Sequence, residues 1–224
     1  MDTMHRLKKN IRNISVYGCG GTGSQMINGL ARINHAQKQR RKPEIYVTAY
    51  DFDTVSPANI GRQAFFPSDV GHNKAKILID RVNAYYQLNW KYRTVKAPSS
   101  SKDDMIVSCV DTIKSREDIA KSWLTKGAYM IDCGNSRTSG QVLIGQFDGD
   151  LPNVYDEHND LIYGEEPVGE VGCVDEYFVQ DLFVNSVVAI NALNLIWRLL
   201  RWESLKVRGV FFDTDEGICN PVKI

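Results

Sequence analysis

The stretch ISVYGCGGTG at residues 14–23 decides the fold that this sequence predicts. Residues 14–17 form a short apolar, β-branched run typical of a buried strand, and Gly18, Gly20 and Gly23 then follow in a G-x-G-x-x-G pattern. Glycines at this spacing permit a tight turn from strand to helix, and they let backbone N–H groups approach a phosphate at the helix N-terminus. Gly21 lies in the same turn, so we expect these glycines to bind a phosphorylated ligand.

The segment YVTAYDFDTVSPANIGRQ at residues 46–63 predicts the second half of a nucleotide site. Its first five residues read as a strand that ends at Asp51 and Asp53. In a doubly wound fold the acid that binds a ribose stands at the end of the second strand, so we favour that role for Asp51. The alternative is a turn acid that caps the next segment, which is also a common role for aspartate.

Strand and helix patterns alternate over the first two thirds of the chain, and this indicates a parallel sheet covered on both faces. We predict an α/β, Rossmann-like three-layer fold, with a mainly parallel sheet that antiparallel strands continue towards the C-terminus. We expect one domain over residues 1–224, with an acidic loop at about 148–176 and a long helix at about 177–201. Further strands are predicted at residues 105–110, 129–133, 141–147 and 207–212, with helices from about residue 72 and near residues 113–123.

The composition indicates a globular protein of a reducing compartment. Formal net charge is zero, with 27 basic and 27 acidic residues, which argues against nucleic acid as a partner. The acids concentrate near the proposed loop, either as a solvated segment or as a face that binds a partner. Five cysteines without a CxxC pair, and no apolar leader, favour the cytoplasm. The apolar stretch at 182–202 contains too many polar residues for a membrane span, so we expect no membrane association.

Two cations and an acid distinguish a triphosphate from a dinucleotide. Arg62 and Lys74 supply positive charge beyond what a glycine turn gives, and a triphosphate needs such charge together with a metal ion. Asp111 follows the strand at 105–110, and Mg²⁺ binds one or two carboxylates together with phosphate oxygens. The alternative for Asp111 is the N-cap of the helix that follows it.

The motifs GCGGTGS, DFDTVSPANIGRQ, VGHNK and Val110-Asp111 together resemble the ThiF/MoeB/ubiquitin-activating-enzyme superfamily. The last third, with GCVDEYFVQDLFVNS, is most similar to the ThiF-related proteins of the bacterial PRTRC cassette. The resemblance implies ATP-dependent adenylation of the C-terminal carboxylate of a ubiquitin-like or sulfur-carrier protein, with ATP and Mg²⁺, by a homodimer. It implies that Asp51 and Asp53 lie at the ribose end, that Asp111 binds Mg²⁺, and that the triphosphate is handled by Asn59, Arg62 and Lys74, with Gln63 in a supporting role.

Cys173 is the best candidate for a thiol that accepts an activated acyl group, because it lies between the acidic loop and the long helix. An incidental cysteine is the alternative, since the acids beside it oppose thiolate formation. No zinc is expected without paired CxxC motifs. Two other functions remain open from the residues alone, namely an NAD-dependent oxidoreductase and a nucleotide-binding or interaction module without catalysis.

Overall fold

The protein is built around an eight-stranded sheet. The computed structural model describes residues 4–96, 102–123, 125–163 and 180–224. The strands, numbered along the chain, are β1 (His5–Arg6), β2 (Asn13–Tyr17), β3 (Tyr46–Tyr50), β4 (Lys91–Arg93), β5 (Met105–Ser108), β6 (Tyr129–Asn135), β7 (Ser139–Gln146), β8 (Ser204–Leu205), β9 (Val207–Asp213) and β10 (Ile218–Lys223).

The first half of the sheet is parallel, as the alternating pattern predicts. Strand β2 pairs with β3 on one side and with β5 on the other, while β4 and β6 extend the two sides. The chain therefore adds strands in one direction from β2 and then in the opposite direction. In open α/β sheets a crevice forms at this switch point, beyond the carboxyl ends of the strands, and ligands bind there.

The second half of the sheet is antiparallel, which confirms the predicted continuation. Strand β7 pairs with β6, β9 pairs with β7, and β10 forms the outer edge. Strand β10 was not among the predicted strands. A proline such as Pro221 normally argues against a strand in a sequence, because it has no backbone N–H to donate. It is tolerated in an edge strand, which pairs with a neighbour on one side only. The short pair formed by β1 and β8 was also not predicted.

Helices cover both faces of the sheet. They are α1 (Gly21–Gln39), α2 (Lys74–Tyr86), α3 (Ile113–Ser122), α4 (Val154–Glu157), α5 (Asp160–Tyr163) and α6 (Val184–Trp202). One hydrophobic core lies beneath α1, α2 and α6, and a second lies beneath α3 and α4. Neighbouring strand residues alternate between the two cores: Val16 and Val107 enter the first, while Tyr17 and Ile106 enter the second. This arrangement gives the predicted three layers.

The long C-terminal helix begins later than residue 177, and this corrects the expected boundary. Residues 177–179 lie outside the described ranges, and α6 starts at Val184, after a turn. The N–H of Asp181 donates to the carbonyl of Arg137 at 3.0 Å, which holds the segment before α6 against the β6–β7 turn. Over the described ranges, we find no helix with the length and apolarity needed to span a bilayer.

The acidic segment contains more regular structure than a loop over its described part. Residues 154–157 and 160–163 form α4 and α5. Asn153 caps α4, because its side-chain oxygen accepts from the N–H of Tyr155 at 2.9 Å. Buried Val154 and Tyr155 then join the second core. The remainder of the predicted loop, 164–176, lies outside the described residues.

Candidate functional site

The glycine turn lies at the switch point between β2 and β5. Gly18 has a φ of +84°, and a Cβ there would lie 2.6 Å from the carbonyl oxygen of Cys109, at the end of β5. A Cβ on Gly23 would lie 1.8 Å from the carbonyl oxygen of Gly18, so the first turn of α1 packs directly on the preceding strand end. Gly20 is the N-cap of α1 and provides no side-chain cap, and the first turn carries no acid. Such a helix N-terminus suits an anion.

Asp51 ties the end of β3 to the glycine turn. One carboxylate oxygen accepts from the N–H of Cys19 at 2.6 Å, and the other accepts from the N–H of Asp53 at 2.8 Å. The residue is 9% exposed. Burial raises the pKa of Asp51, against the lowering effect of the two N–H donors and of the positive charge on Lys74. The bond from Asp53 is a turn interaction of the kind that the alternative role for Asp51 predicts, although the N-cap of α2 is Asn73.

The two predicted cations reach the same region from different elements. Lys74 is the first residue of α2, is only 8% exposed, and has its Nζ 3.4 Å from a carboxylate oxygen of Asp53. That contact offsets part of the unfavourable interaction between a lysine and a helix N-terminus. Arg62 donates from Nη1 to the side-chain oxygen of Gln180 at 2.9 Å. Both cations therefore have fixed neighbours within the site.

Asn59 and Gln63 occupy the short segment between these cations. The side-chain oxygen of Asn59 accepts from the N–H of Ser56 at 2.9 Å and so shapes the single turn at Pro57–Asn59. The N–H of Gln63 donates to the carbonyl of Asn59 at 3.0 Å. The side-chain oxygen of Gln63 is buried and has no hydrogen-bond partner among the described residues. A buried amide oxygen in this condition can accept a bond from a ligand.

Asp111 is exposed and precedes α3 without capping it. The cap is Thr112, whose hydroxyl oxygen accepts from the N–H of Ser115 at 3.2 Å. The alternative structural role considered for Asp111 is therefore assigned to its neighbour. No group of three or more metal-ligating side chains occurs within the described ranges. Asp111 on its own fits a Mg²⁺ ion that takes its other ligands from phosphates and water.

A single cavity of about 1700 Å³ gathers these side chains. Gly23 does not line it and supports the turn instead, whereas Cys173 lies outside the described residues. The predicted site residues on its wall are Gly18, Gly20, Gly21, Asp51, Asp53, Asn59, Arg62, Gln63, Lys74 and Asp111.

The cavity continues from the glycine turn onto the antiparallel half of the sheet, past Arg116. The Nε of Arg116 and the hydroxyl of Tyr155 both donate to one carboxylate oxygen of Asp132, at 3.2 and 3.1 Å. Asp132 is fully buried, and this burial raises its pKa, while the charge of Arg116 lowers it. Asp132 thereby holds a cation on the cavity wall. The sequence had placed Arg116 in a predicted helix, Asp132 in a predicted strand and Tyr155 in the acidic loop, without a role in the site.

Gln180 and Asn185 are site residues that the sequence did not single out. Both line the cavity, and the side-chain nitrogen of Asn185 donates to the side-chain oxygen of Gln180 at 2.9 Å. The only sequence signal was their place within the motif GCVDEYFVQDLFVNS, to which no role was assigned. Their position beside Arg62 and the glycine turn depends on how α6 packs against α1, where Thr22 donates to Asn185.

Two of the described thiols near the cavity, those of Cys19 and Cys133, are poorly suited to act as nucleophiles. Cys19 and Cys133 are buried, and burial raises the pKa of Cys19 well above its usual range. The pKa of Cys133 is also strongly raised, first by its hydrogen bond with Cys109 and then by burial. A thiol in this state is a poor nucleophile at neutral pH. Cys19 and Cys133 therefore pack as small apolar side chains.

Comparison with known proteins agrees with this architecture. The model of the ThiF family matches residues 2–216. No curated protein sequence matches the chain. PaaA aligns with a TM-score of 0.67 and 18% identity, over 95% of this chain and 64% of its own.

The E. coli MccB structure with ATP aligns with a TM-score of 0.61 and 16% identity, over 95% of this chain and 63% of its own. The E. coli MccB structure with AMPCPP and MccA has the same TM-score and coverage, at 15% identity. These structures share the fold. This chain spans under two thirds of the length of each of them.

Proposed function

Because this chain belongs to the ThiF family, we propose that it is an ATP-dependent adenylyltransferase. It activates the C-terminal carboxylate of a ubiquitin-like or sulfur-carrier protein as an acyl adenylate. The observation that carries the proposal is the cavity at the switch point. There a glycine turn, the acids Asp51 and Asp111, and the cations Arg62 and Lys74 meet, although they come from separate strand ends and helices.

The nucleotide would bind with its phosphates over the N-terminus of α1. The glycine turn and the cations Arg62 and Lys74 line the same cavity, and they would supply the charge that a triphosphate requires. Asp51 lies at the end of β3, where a ribose is bound in folds of this type. E. coli MccB shares this fold and has been solved with ATP, which supports ATP as the nucleotide.

Asp111 would hold Mg²⁺ against the phosphates, and the ion would neutralise charge on the departing pyrophosphate. The chain's own residues supply the remaining requirements. Lys74 and Arg62 stabilise negative charge, and the glycine turn orients the phosphates. Stabilising the charge and orienting the phosphates both depend on where these residues lie. Neither task requires an activated serine or cysteine among the described residues that line the cavity.

The acceptor carboxylate needs no general base. A C-terminal carboxyl group has a pKa of about 3.5 and is ionised at neutral pH. One of its oxygens forms a bond to the α-phosphorus while the bond from that phosphorus to the bridging oxygen breaks, and pyrophosphate leaves. Precise alignment is what the protein must provide. The extension of the cavity past Arg116 offers room for the acceptor tail.

A protein or peptide acceptor is supported by the MccB structure that contains MccA together with AMPCPP. We also propose that residues 1–224 form one adenylation domain, that it works as a homodimer in the cytoplasm, and that the protein belongs to a PRTRC-type cassette. Cys173 remains the candidate for a subsequent thioester.

Exchange of labelled pyrophosphate into ATP tests the proposal. With Mg²⁺ and candidate ubiquitin-like proteins, exchange should appear only when a free C-terminal carboxylate is present, and a C-terminally amidated acceptor should abolish it. Arg62→Ala should remove exchange while the protein stays folded. Binding of NAD with no binding of ATP would instead favour an oxidoreductase. ATP binding without exchange across cognate acceptors would favour a module without catalysis.

A further inference from the structure

The side chain of Gln180 lies at the junction of three parts of the site. Its amide oxygen accepts from Nη1 of Arg62 and from the side-chain nitrogen of Asn185, both at 2.9 Å. Its amide nitrogen donates to the carbonyl of Ser136, in the β6–β7 turn, at 3.3 Å. If the amide were flipped, its NH₂ group would face the N–H donors of Arg62 and Asn185, and its oxygen would face the carbonyl of Ser136. These neighbours therefore fix the orientation of the amide group.

Asn185 connects this junction to the N-terminus of α1. Its side-chain oxygen accepts from the hydroxyl of Thr22 at 2.9 Å, and Asn185 is buried in the first turn of α6. Thr22 is the second residue of α1 and lines the cavity beside the glycine turn. A continuous chain of hydrogen bonds therefore runs from Thr22 through Asn185 and Gln180 to Arg62.

We infer that Gln180 is a positioning residue, which holds the guanidinium of Arg62 in the orientation that receives the phosphates of ATP. The inference rests on the proposed function and assigns a role to a residue of the segment before α6. Arginine is long and flexible, and ordering it costs conformational entropy. Gln180 has two fixed partners of its own, so it offers Arg62 a rigid acceptor and lowers that cost when the nucleotide binds.

A neutral acceptor suits this task better than a carboxylate. The amide oxygen uses one of the guanidinium's several N–H donors and leaves the positive charge of Arg62 in place. A glutamate at position 180 would form an ion pair with Arg62 and repel phosphate oxygens within the same cavity. The identity of the side chain, and not only its length, therefore follows from the proposed ligand.

The test is a calorimetric titration of Mg²⁺–ATP into the full chain without any acceptor protein, which measures the dissociation constant for ATP. Gln180→Met keeps the length of the side chain and removes its acceptor, so ATP affinity should fall roughly tenfold. Gln180→Glu should bind ATP more weakly than Gln180→Met. Gln39→Leu, at the exposed end of α1, serves as the matched control and should bind ATP as the unmodified protein does.

A double-mutant cycle separates positioning from a general structural role. In an Arg62→Ala background, Gln180→Met should cause no further loss of affinity, because Gln180 acts through Arg62. An equal loss in both backgrounds would overturn the inference, and so would unchanged affinity in Gln180→Met. If Gln180→Met does not fold, the Glu variant decides, and binding as tight as that of the unmodified protein would overturn the inference. If the unmodified protein does not bind ATP, the proposed function fails first.

Discussion

The carboxylate of Asp51 accepts a 2.6 Å hydrogen bond from the backbone N–H of Cys19, and this bond joins the end of β3 to the turn that opens α1. Two loops that would each carry one half of a nucleotide site are thereby fixed to one another. The second carboxylate oxygen accepts from the N–H of Asp53 and shapes the turn that follows. Asp51 is therefore a structural part of the site as well as the candidate ribose ligand.

Replacement of Asp51 by asparagine should destabilise the protein. An amide has one acceptor oxygen, so one of the two N–H groups would face an NH₂ group, at a cost of about 1–3 kcal/mol. Urea denaturation measures this change. Asp53→Asn is the control, because Asp53 is largely exposed and its contact with Lys74 should contribute at most about 1 kcal/mol. Equal destabilisation by the two substitutions would contradict the role given to Asp51.

Lys74 and Lys76 form a matched pair in the first turn of α2. Lys74 is buried on the cavity wall, while Lys76 points to solvent and pairs with Asp80 on the same helix. Lys74→Met should weaken Mg²⁺–ATP binding by roughly tenfold to a hundredfold, because a charged contact with phosphate is lost. Lys76→Met should leave the dissociation constant within about twofold. Calorimetry compares them, and a similar loss in both variants would place the phosphates elsewhere.

Asp111 and Thr112 are neighbours with separable roles. Asp111→Asn should leave the free energy of unfolding unchanged and should raise the Mg²⁺ concentration needed for nucleotide binding. Thr112→Ala should cost about 1 kcal/mol of stability, because the N-cap of α3 is lost, and should leave the Mg²⁺ requirement alone. Thermal unfolding and a Mg²⁺ titration at constant ATP distinguish the two. If Asp111→Asn proves destabilising and binds Mg²⁺–ATP normally, the metal assignment is wrong.

His5 should make stability depend on pH near neutrality. Its Nε2 lies 2.7 Å from the hydroxyl of Tyr129, and the residue is buried within the β1–β8 pair. Burial lowers the pKa of His5, and the charge of Lys8 adds to this, whereas Asp150 opposes it. A histidine with a lowered pKa binds fewer protons folded than unfolded. Stability should therefore fall as the pH drops below its ordinary pKa of about 6.5 towards the folded value.

The measurement is the thermal midpoint at about pH 7.5 and about pH 5.5, on either side of the ordinary histidine pKa. His5→Gln keeps a polar partner for Tyr129 but cannot titrate, so its midpoint should change less between the two conditions. His35→Gln, on the exposed side of α1, is the control and should retain the full pH dependence of the unmodified protein. An identical pH response in the His5 variant would refute the assignment.

The sequence predicted the elements that carry strong local patterns. The strand–glycine–helix unit around Gly18 and the acids after β3 follow from short-range chemistry, and the parallel half of the sheet follows from the alternation of strand and helix patterns. The two edge strands were harder to predict from the sequence. Strand β4 is three residues long and β10 includes Pro221, so neither gives a clear strand pattern. Strand pairing with β3 and β9 determines both, and pairing partners are not visible in a local window.

Site residues divide in the same way. Arg62 and Lys74 could be selected because their positive charges follow a phosphate-type turn. Asp111 and Thr112 can each cap a helix by sequence, and only the backbone geometry assigned the cap to Thr112. Gln180 lies in a motif to which no role could be assigned, since a neutral side chain distant in sequence acquires its role only when α6 packs beside α1 and the segment before α6 reaches Arg62.

Pro221 has a consequence for how copies of the protein can meet. It sits in the outermost strand of the sheet, and a proline offers no N–H to a strand arriving from another molecule. Proline therefore disfavours the addition of a strand from another molecule at this edge of the sheet. Contact between copies at that edge would then depend on side-chain packing rather than on backbone pairing.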